Sequence, residues 1–428
     1  MPRCLDLFFQ YLYPLTPLVH EPSLRNDLAY FISRASSSNP DLEATTSTAT
    51  SAPAGDSWYS GNRTISDPWL DSVFALITAV CAEAAFLLPK DLFPEGESVG
   101  DMLLAASRSC LNSYLEADLE APSANSIAIR YFHSNCIHAA GKPKFSWHIF
   151  GEATRLAQVM QLHDESSLDG LLPIEAELRR RAFWIVYMGD KSAAILNNRP
   201  ITIHRFSFES GITTAFPTGI EDEAQPPPPV GPSPPGATGA PSSPESVPWC
   251  FIDGFNANLR LWQAASDLLL EMRLLQDAAQ RHHHAPTNSS SLSPSSISSI
   301  PVDQRQRLDG LYVHFITCLD SLPPYLQPHN LVASSAADQT QTPQRQFIIQ
   351  CANLQVSLHC LRMVIAQKFD DVSYFGTSVA QAELRRTEIA RDMLRVMHEA
   401  PFWSLQVNGE PYVSLLFSFF FFTQLFRY

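Results

Sequence analysis

Four polar low-complexity stretches interrupt the chain, and they confine any packed structure to the apolar blocks between them. They are residues 36–60, rich in Ser, Thr and Ala; 221–248, which contains Pro226-Pro227-Pro228-Pro229; 282–301, nearly all His, Ser, Pro and Thr; and a weaker one at 333–346. Such segments carry too little apolar side chain to offset the entropy of ordering, so they read as loops or linkers set between folded elements. The blocks between them show helical periodicity. From Asp67 to Leu88 the residues Trp69, Val73, Leu76, Ile77 and Val80 recur at i, i+3, i+4 spacing behind an Asp67 N-cap and a Pro68 at the first helical position. Ser146 is expected to cap a helix with the face Trp147, Phe150, Ala153, Ala157 and Met160. Pro173 opens another, in which Glu175 and Glu177 stand four residues before Arg179 and Arg181. Further helices are expected at 257–280, 302–322, 346–369 and 378–399. No long alternating strand and no fixed-period repeat is present, so the chain reads as an all-α, multi-helix domain of about ten or more helices with long Pro/Ser-rich loops. Residues 1–220 form an N-terminal half, 221–248 a Pro-rich linker and 249–428 a C-terminal helical half.

The balance of charges limits the partners. Of 428 residues, 29 are Lys or Arg and 43 Asp or Glu, a net charge of −14 that disfavours a surface neutralising many phosphates. Apolar residues make up 45%, enough for a substantial core. The eight cysteines have no C-x-x-C pair and no regular spacing, so they read as reduced thiols rather than disulfides or a thiolate zinc site. The N-terminus has no secretory pattern, and an intracellular compartment is expected. The apolar run 412–426, with Phe419-Phe420-Phe421-Phe422, spans about 15 residues against the roughly 20 of a membrane span and is broken by Ser414, Ser418, Thr423 and Gln424. It reads as a core helix whose continuation is missing, and no membrane partner is expected.

The residues that could carry chemistry have plainer readings. His282-His283-His284 lies in a linker composition without a nearby carboxylate. His133, His138, His148 and His163 have no mutual i, i+4 spacing and no H-E-x-x-H motif. There is no G-x-S-x-G elbow, no phosphate-binding loop and no dinucleotide fingerprint, so no enzyme is read here. Arg179-Arg180-Arg181 points in three directions on a helix with Glu175 and Glu177 beside it, a salt-bridged face rather than a nucleic-acid patch. The proline tract reads as a spacer, with a polyproline ligand as the other reading.

Two long motifs then stand in order. The first is Ser146-Trp147-His148-Ile149-Phe150-Gly151-Glu152-Ala153-Thr154-Arg155-Leu156-Ala157-Gln158, ending in Leu162-His163. The second is Pro173-Ile174-Glu175-Ala176-Glu177-Leu178-Arg179-Arg180-Arg181-Ala182-Phe183-Trp184, then Tyr187, Asp190 and Asn198-Arg199-Pro200. Together they resemble the regulatory (middle homology) domain of fungal-specific transcription factors of the zinc binuclear cluster family, with its E-x-R-R-R-x-F-W … D … G-R-P pattern. Asn198 stands where that pattern has glycine. The opening Tyr11 to Leu24, with Pro14, Pro17 and His20-Glu21-Pro22, is similar to the family's first segment.

The resemblance implies an all-helical domain that restrains an RNA polymerase II activator until a metabolite or partner relieves it. It also implies a nuclear location, a homo- or heterodimer, and a small-molecule inducer as compatible partners. In the family a six-cysteine zinc cluster binds DNA. Here Cys4 stands alone near a non-basic start, so no cofactor is expected in this chain, zinc would come only with an upstream cysteine cluster, and DNA would be reached through such a module or a partner protein. A cluster-less protein acting on transcription through protein–protein contacts is the alternative. The motif residues read as architecture: Trp147, Phe150, Phe183 and Trp184 supply apolar area, Gly151, Ala153 and Ala157 would let helices approach closely, and Arg155, Glu177, Arg180 and Asp190 would pair in partly buried contacts. A ligand pocket, if present, is expected between the helices carrying 147–160 and 178–187.

Overall fold

A computed structural model describes residues 1–37, 68–220, 250–284, 301–333, 342–372, 374–376 and 378–408. Among them are fourteen α-helices and no strand, an all-α fold. The helices fall into two compact units. The first comprises Met1–Phe9, Leu18–Phe86 and Lys90–Met160; the second comprises Gln10–Pro17, Leu87–Pro89 and Gln161–Tyr428.

The first unit holds α1 (Pro2–Leu7) and the start of the π-helical turn Phe8–Leu12, whose residues from Gln10 on belong to the second unit, and then α2 (Glu21–Ser37), α3 (Pro68–Leu87), α4 (Gly96–Ser113), α5 (Leu115–Glu120), α6 (Ala124–Ala139) and α7 (Pro143–Val159). Helix α3 is apolar nearly all round, with Ala75, Ile77, Ala79, Val80, Cys81, Ala82 and Ala84 buried, which is the signature of a helix enclosed on every side. Gly96 opens α4 against it. A Cβ there would meet the Ala85 carbonyl oxygen at 2.8 Å, so only glycine permits this approach. Helices α6 and α7 form an antiparallel hairpin whose turn is dictated locally. Gly141 takes the left-handed φ of +75°, its N–H returns to the His138 carbonyl at 2.8 Å, and the Lys142 N–H returns to Ile137 at 3.1 Å. Pro143 follows at the first position of α7, where its missing N–H costs nothing. The helix therefore starts three residues before the expected Ser146 cap. Ser146 is buried instead, its hydroxyl 3.1 Å from that of Ser134 on α6.

The second unit is built on α8 (Pro173–Leu196), α9 (Phe251–His284), α10 (Val302–Thr317), α11 (His329–Ala333), α12 (Thr342–Asp371), α13 (Val379–Glu399) and α14 (Phe402–Gln406). Its core joins Leu261, Trp262, Leu268 and Met272 of α9 to Ile348, Ala352, Val356 and Met363 of α12 and to Ile389 and Met393 of α13. Two helical windows, Leu70–Leu87 and Gln346–Asp371, are long and apolar enough to cross a membrane, yet 67% and 83% of them is buried in protein. Their apolar length goes into cores.

Several polar stretches are shorter than the sequence suggests, because a nucleated helix gains a hydrogen bond with each added residue and runs on into polar sequence. Thus α2 reaches Ser37, α9 reaches His284 and α12 begins at Thr342. The proline tract 226–229, the Asp67 cap and the apolar run 412–426 lie outside the described residues, as do most of the Pro-rich and Ser/His-rich segments.

Candidate functional site

Helix α8 is the post to which three non-helical segments of the second unit are tied, each by a buried charged side chain. The first tie is Glu177. Its Oε1 accepts from the backbone N–H groups of Thr218 and Gly219 at 3.1 and 3.0 Å and from Arg181 Nε at 3.1 Å, while Arg180 Nη1 stands 3.6 Å from Oε2. The second is Arg181, fully buried, whose Nη1 donates to the Tyr13 hydroxyl at 3.2 Å and to the Pro17 carbonyl at 3.4 Å. The third is Asp190, also fully buried, which accepts from the Thr202 and Ile203 N–H groups at 2.9 and 3.2 Å and from Lys191 Nζ at 3.0 Å. Burial pushes the Lys191 ammonium below its ordinary value, and Asp190 opposes that shift.

The spacing explains the division of labour. Glu177 and Arg181 are i, i+4 and lie on one buried face, whereas Asp190, nine residues beyond Arg181, serves the chain that turns back after the helix. Asn198 makes that turn at φ +51°, the left-handed conformation that asparagine tolerates best after glycine. The Arg199 N–H closes on the Ala193 carbonyl at 3.2 Å, and Pro200 cannot continue the helix. Thus Arg199 and Pro200 shape the turn that delivers Thr202 and Ile203 to Asp190.

Apolar and exposed residues of the motifs hold the same segments from the other side. Trp184 donates from Nε1 to the Ala215 carbonyl at 2.8 Å and stacks on Phe216 at 4.7 Å; Phe183, buried, meets Trp184 edge-on at 5.2 Å. Leu162 is buried and its carbonyl accepts from the Thr214 hydroxyl. The His163 carbonyl accepts from Thr213 N at 2.9 Å, and its ring stacks on Phe208 at 3.8 Å. Glu165 accepts from Arg180 Nε at 2.9 Å and from Ala215 N at 2.9 Å. Desolvation works against the Glu165 carboxylate, but the Arg180 hydrogen bond and charge outweigh it and hold it below its usual range. Arg179 pairs with Glu175 at 2.7 Å, a half-buried contact along the same helix. Residues 213–219 are therefore irregular backbone fastened by side chains, and Asn256 of α9 adds a bond to the Pro217 carbonyl at 2.8 Å. Sequence reasoning passed over Thr213 to Gly219, Lys191 and Asn256, because an irregular segment paired to side chains has no periodicity to announce it.

The first motif lies in the other unit and does something else. Ala153 and Ala157 are buried against α6, but Gly151 is exposed with nothing within 4 Å of where a Cβ would stand. It does not mediate the close helix packing expected of it, since the packed face of α7 is Ser146, Ile149, Phe150, Ala153, Thr154, Leu156 and Ala157, and Gly151 points away from that face. Trp147 is half-buried and stacked on Phe150 at 5.5 Å. Arg155 is exposed, bonded to the neutral Gln158 at 2.8 Å and to no buried carboxylate. A cavity of about 620 Å³ opens here, lined by Leu115 and Leu119 of α5, Arg130 of α6, and Trp147, Gly151 and Arg155 of α7. It takes the expected helix as one wall but α5 and α6, not α8, as the others.

Two other buried polar groups of the first unit, Glu83 and His133, have local partners. Glu83 accepts from Asn135 Nδ2 at 2.9 Å, and full burial pushes its carboxyl up to about 8. His133 faces the Ser107 hydroxyl at 2.7 Å and is held neutral, burial lowering it to about 3. Among the described residues no group of three His, Cys, Asp or Glu side chains could hold a metal ion. The charged groups of α8 bind backbone, one another, Glu165 and the Tyr13 hydroxyl, the arrangement of a conformational scaffold.

The fold and this tying pattern define an all-helical scaffold whose charged residues fasten backbone segments. The family model for the fungal specific transcription factor domain matches residues 5–236, more than half of the 428 residues, and the chain belongs to that family. It is 28% identical over 191 residues to the aurofusarin cluster transcription factor aurR2 of Gibberella zeae, a match covering 45% of this chain and 24% of that protein. It is 40% identical over 58 residues to the ABC-transporter-regulating transcription factors of Aspergillus oryzae and Aspergillus fumigatus, over 14% of this chain and 6% of each. The chain thus spans a quarter or less of the length of these relatives. No solved structure matches it.

Proposed function

We propose that the chain regulates transcription by RNA polymerase II, as the regulatory, effector-sensing domain of a fungal zinc-cluster-type factor. What supports this reading is the tying of α8. Glu177, Arg181 and Asp190 are buried charges that, besides pairing with one another or with Lys191, hold main-chain or hydroxyl groups outside the helix, at Tyr13–Pro17, Thr202–Ile203 and Thr218–Gly219. A tie of this kind is costly to break singly and releases a whole segment when broken, which suits a two-state restraint whose balance a ligand or partner shifts. In this reading the chain is not an enzyme, acts in the nucleus, and reaches DNA through a cysteine-cluster module or a partner protein. Zinc belongs with that module rather than with the residues described above, and a homo- or heterodimer is compatible with the fold.

The test joins the full chain to a heterologous DNA-binding module and measures a polymerase II reporter carrying its operator in a fungal cell. A several-fold change in output over the module alone, altered again by Glu177→Gln, is the expected result. Output equal to the module alone, at matched protein level, overturns it.

A further inference from the structure

The cavity between α5 and α7 has features that its own fold does not use. Gly151 sits in the interior of α7, where glycine weakens a helix, yet nothing packs within 4 Å of its missing side chain. Its bareness leaves the cavity mouth open. Two guanidinium groups line the space. Arg130, almost wholly buried, uses Nη1 for Asp118 at 2.7 Å and for the Ser126 carbonyl at 2.9 Å, while its buried Nε–H makes no hydrogen bond and has Glu152 Oε2 at 3.4 Å. Arg155 has a neutral partner, Gln158, and no carboxylate. The walls are the side chains of Leu115, Leu119 and Leu156 and the indole of Trp147. Asp118 and Glu152 already face Arg130, and Glu152 also stands 3.7 Å from His148, so Arg155 is the guanidinium of this lining that faces no carboxylate.

We propose that this cavity binds a small aromatic carboxylate, its ring system lying over Gly151 against Trp147 and its carboxylate paired with Arg155. The volume of about 620 Å³ falls within the roughly 300–1,000 Å³ of small-molecule pockets. The apolar wall with the Trp147 indole selects an aromatic body, and Arg155 at the mouth selects an acid. The inference rests on the effector-sensing reading for its meaning. Its test is independent of that reading, because binding is measured on the isolated chain and transcription is not.

The full chain is titrated calorimetrically with 2-naphthoate, 9-anthroate and the neutral 2-naphthamide, alongside Gly151→Phe and Arg155→Gln. A Cβ at Gly151 meets nothing within 4 Å and replacing a glycine inside a helix removes its conformational penalty, so the unfolding temperature of Gly151→Phe should not fall, while its ring occupies the mouth and binding of the acids disappears. Arg155→Gln should weaken the acids about tenfold, the loss of one charge-assisted contact, and leave the amide unchanged. Failure of both acids to bind, or binding that survives Gly151→Phe, overturns the site. Equal binding of acid and amide overturns the pairing with Arg155. Self-association of the chain abolished by Gly151→Phe and insensitive to both acids would make the groove a contact between copies and overturn a ligand site.

Discussion

Glu177 holds two backbone N–H groups and a buried guanidinium with one carboxylate. Its removal strands the fully buried Arg181 guanidinium and frees the Thr218 and Gly219 N–H groups at once. Breaking a buried pair by deleting one partner costs about 3–5 kcal/mol, because the survivor keeps its desolvation penalty. Glu177→Ala should therefore lower stability by about that amount, read by urea unfolding, and Glu177→Gln, which keeps an acceptor oxygen, by less. An unchanged midpoint for Glu177→Ala would show that the tie is dispensable. A second buried carboxyl makes a prediction of opposite kind. Glu83 holds its proton up to about 8 when folded against an ordinary 4.5, so its contribution to stability is full below about 4.5 and is lost as pH rises toward 8. His133, lowered from 6.5 to about 3, contributes above 6.5 and loses that contribution as pH falls toward 3. Between pH 6.5 and 8 the Glu83 effect amounts to about 2 kcal/mol. Glu83→Gln keeps the acceptor for Asn135 without the ionisation, so over that interval the parent's unfolding free energy should drop relative to the variant's by that amount.

At the scale of elements, local signals and tertiary demands part company. The α6–α7 hairpin depends on Gly141 at φ +75°, where a Cβ meets nothing yet the backbone conformation itself disfavours an L residue. Gly141→Ala should cost about 1–2 kcal/mol, seen as a lowered unfolding temperature, since the strain is conformational and no contact is lost. Helix α8 was legible from sequence because Pro173, the early glutamates and the Glu177–Arg181 spacing all act within one helix. That Arg181 would reach Tyr13 and Pro17, more than 160 residues away, was not legible, since nothing local distinguishes it from Arg179 or Arg180. Helices α4, α5 and α6 also went unread. Their stretches mix Ser, Ala, Gly and Asn among apolar residues, and their packing uses small-residue contacts and buried polar bonds such as Ser107 to the Ala75 carbonyl at 2.6 Å. Ser146 misled for a related reason: a cap residue by type, it is a buried hydrogen-bonding partner by position, because Pro143 had already begun the helix.

For the molecule as a whole the governing quantity is charge. Affinity for duplex DNA without sequence preference comes from cations that replace counterions, and each phosphate neutralised adds to the salt dependence. This chain has 29 Lys and Arg against 43 Asp and Glu, and its prominent arginine run is spent internally: Arg179 on Glu175, Arg180 on Glu165 and Arg181 on Glu177. An arginine held in a buried or half-buried pair offers a phosphate little, because leaving its carboxylate would strand that carboxylate in turn. A surface with that balance repels a polyanion more strongly as salt is removed, the reverse of a DNA-binding module. The 428-residue chain should therefore show no binding to fluorescein-labelled duplex DNA of arbitrary sequence by anisotropy at 150 mM salt. Lowering the salt to about 50 mM should not create any, whereas a protein making even six phosphate contacts would gain affinity about a thousandfold over a comparable change. Binding that strengthens as salt falls would place a cationic face on this chain and make direct DNA contact part of its own work.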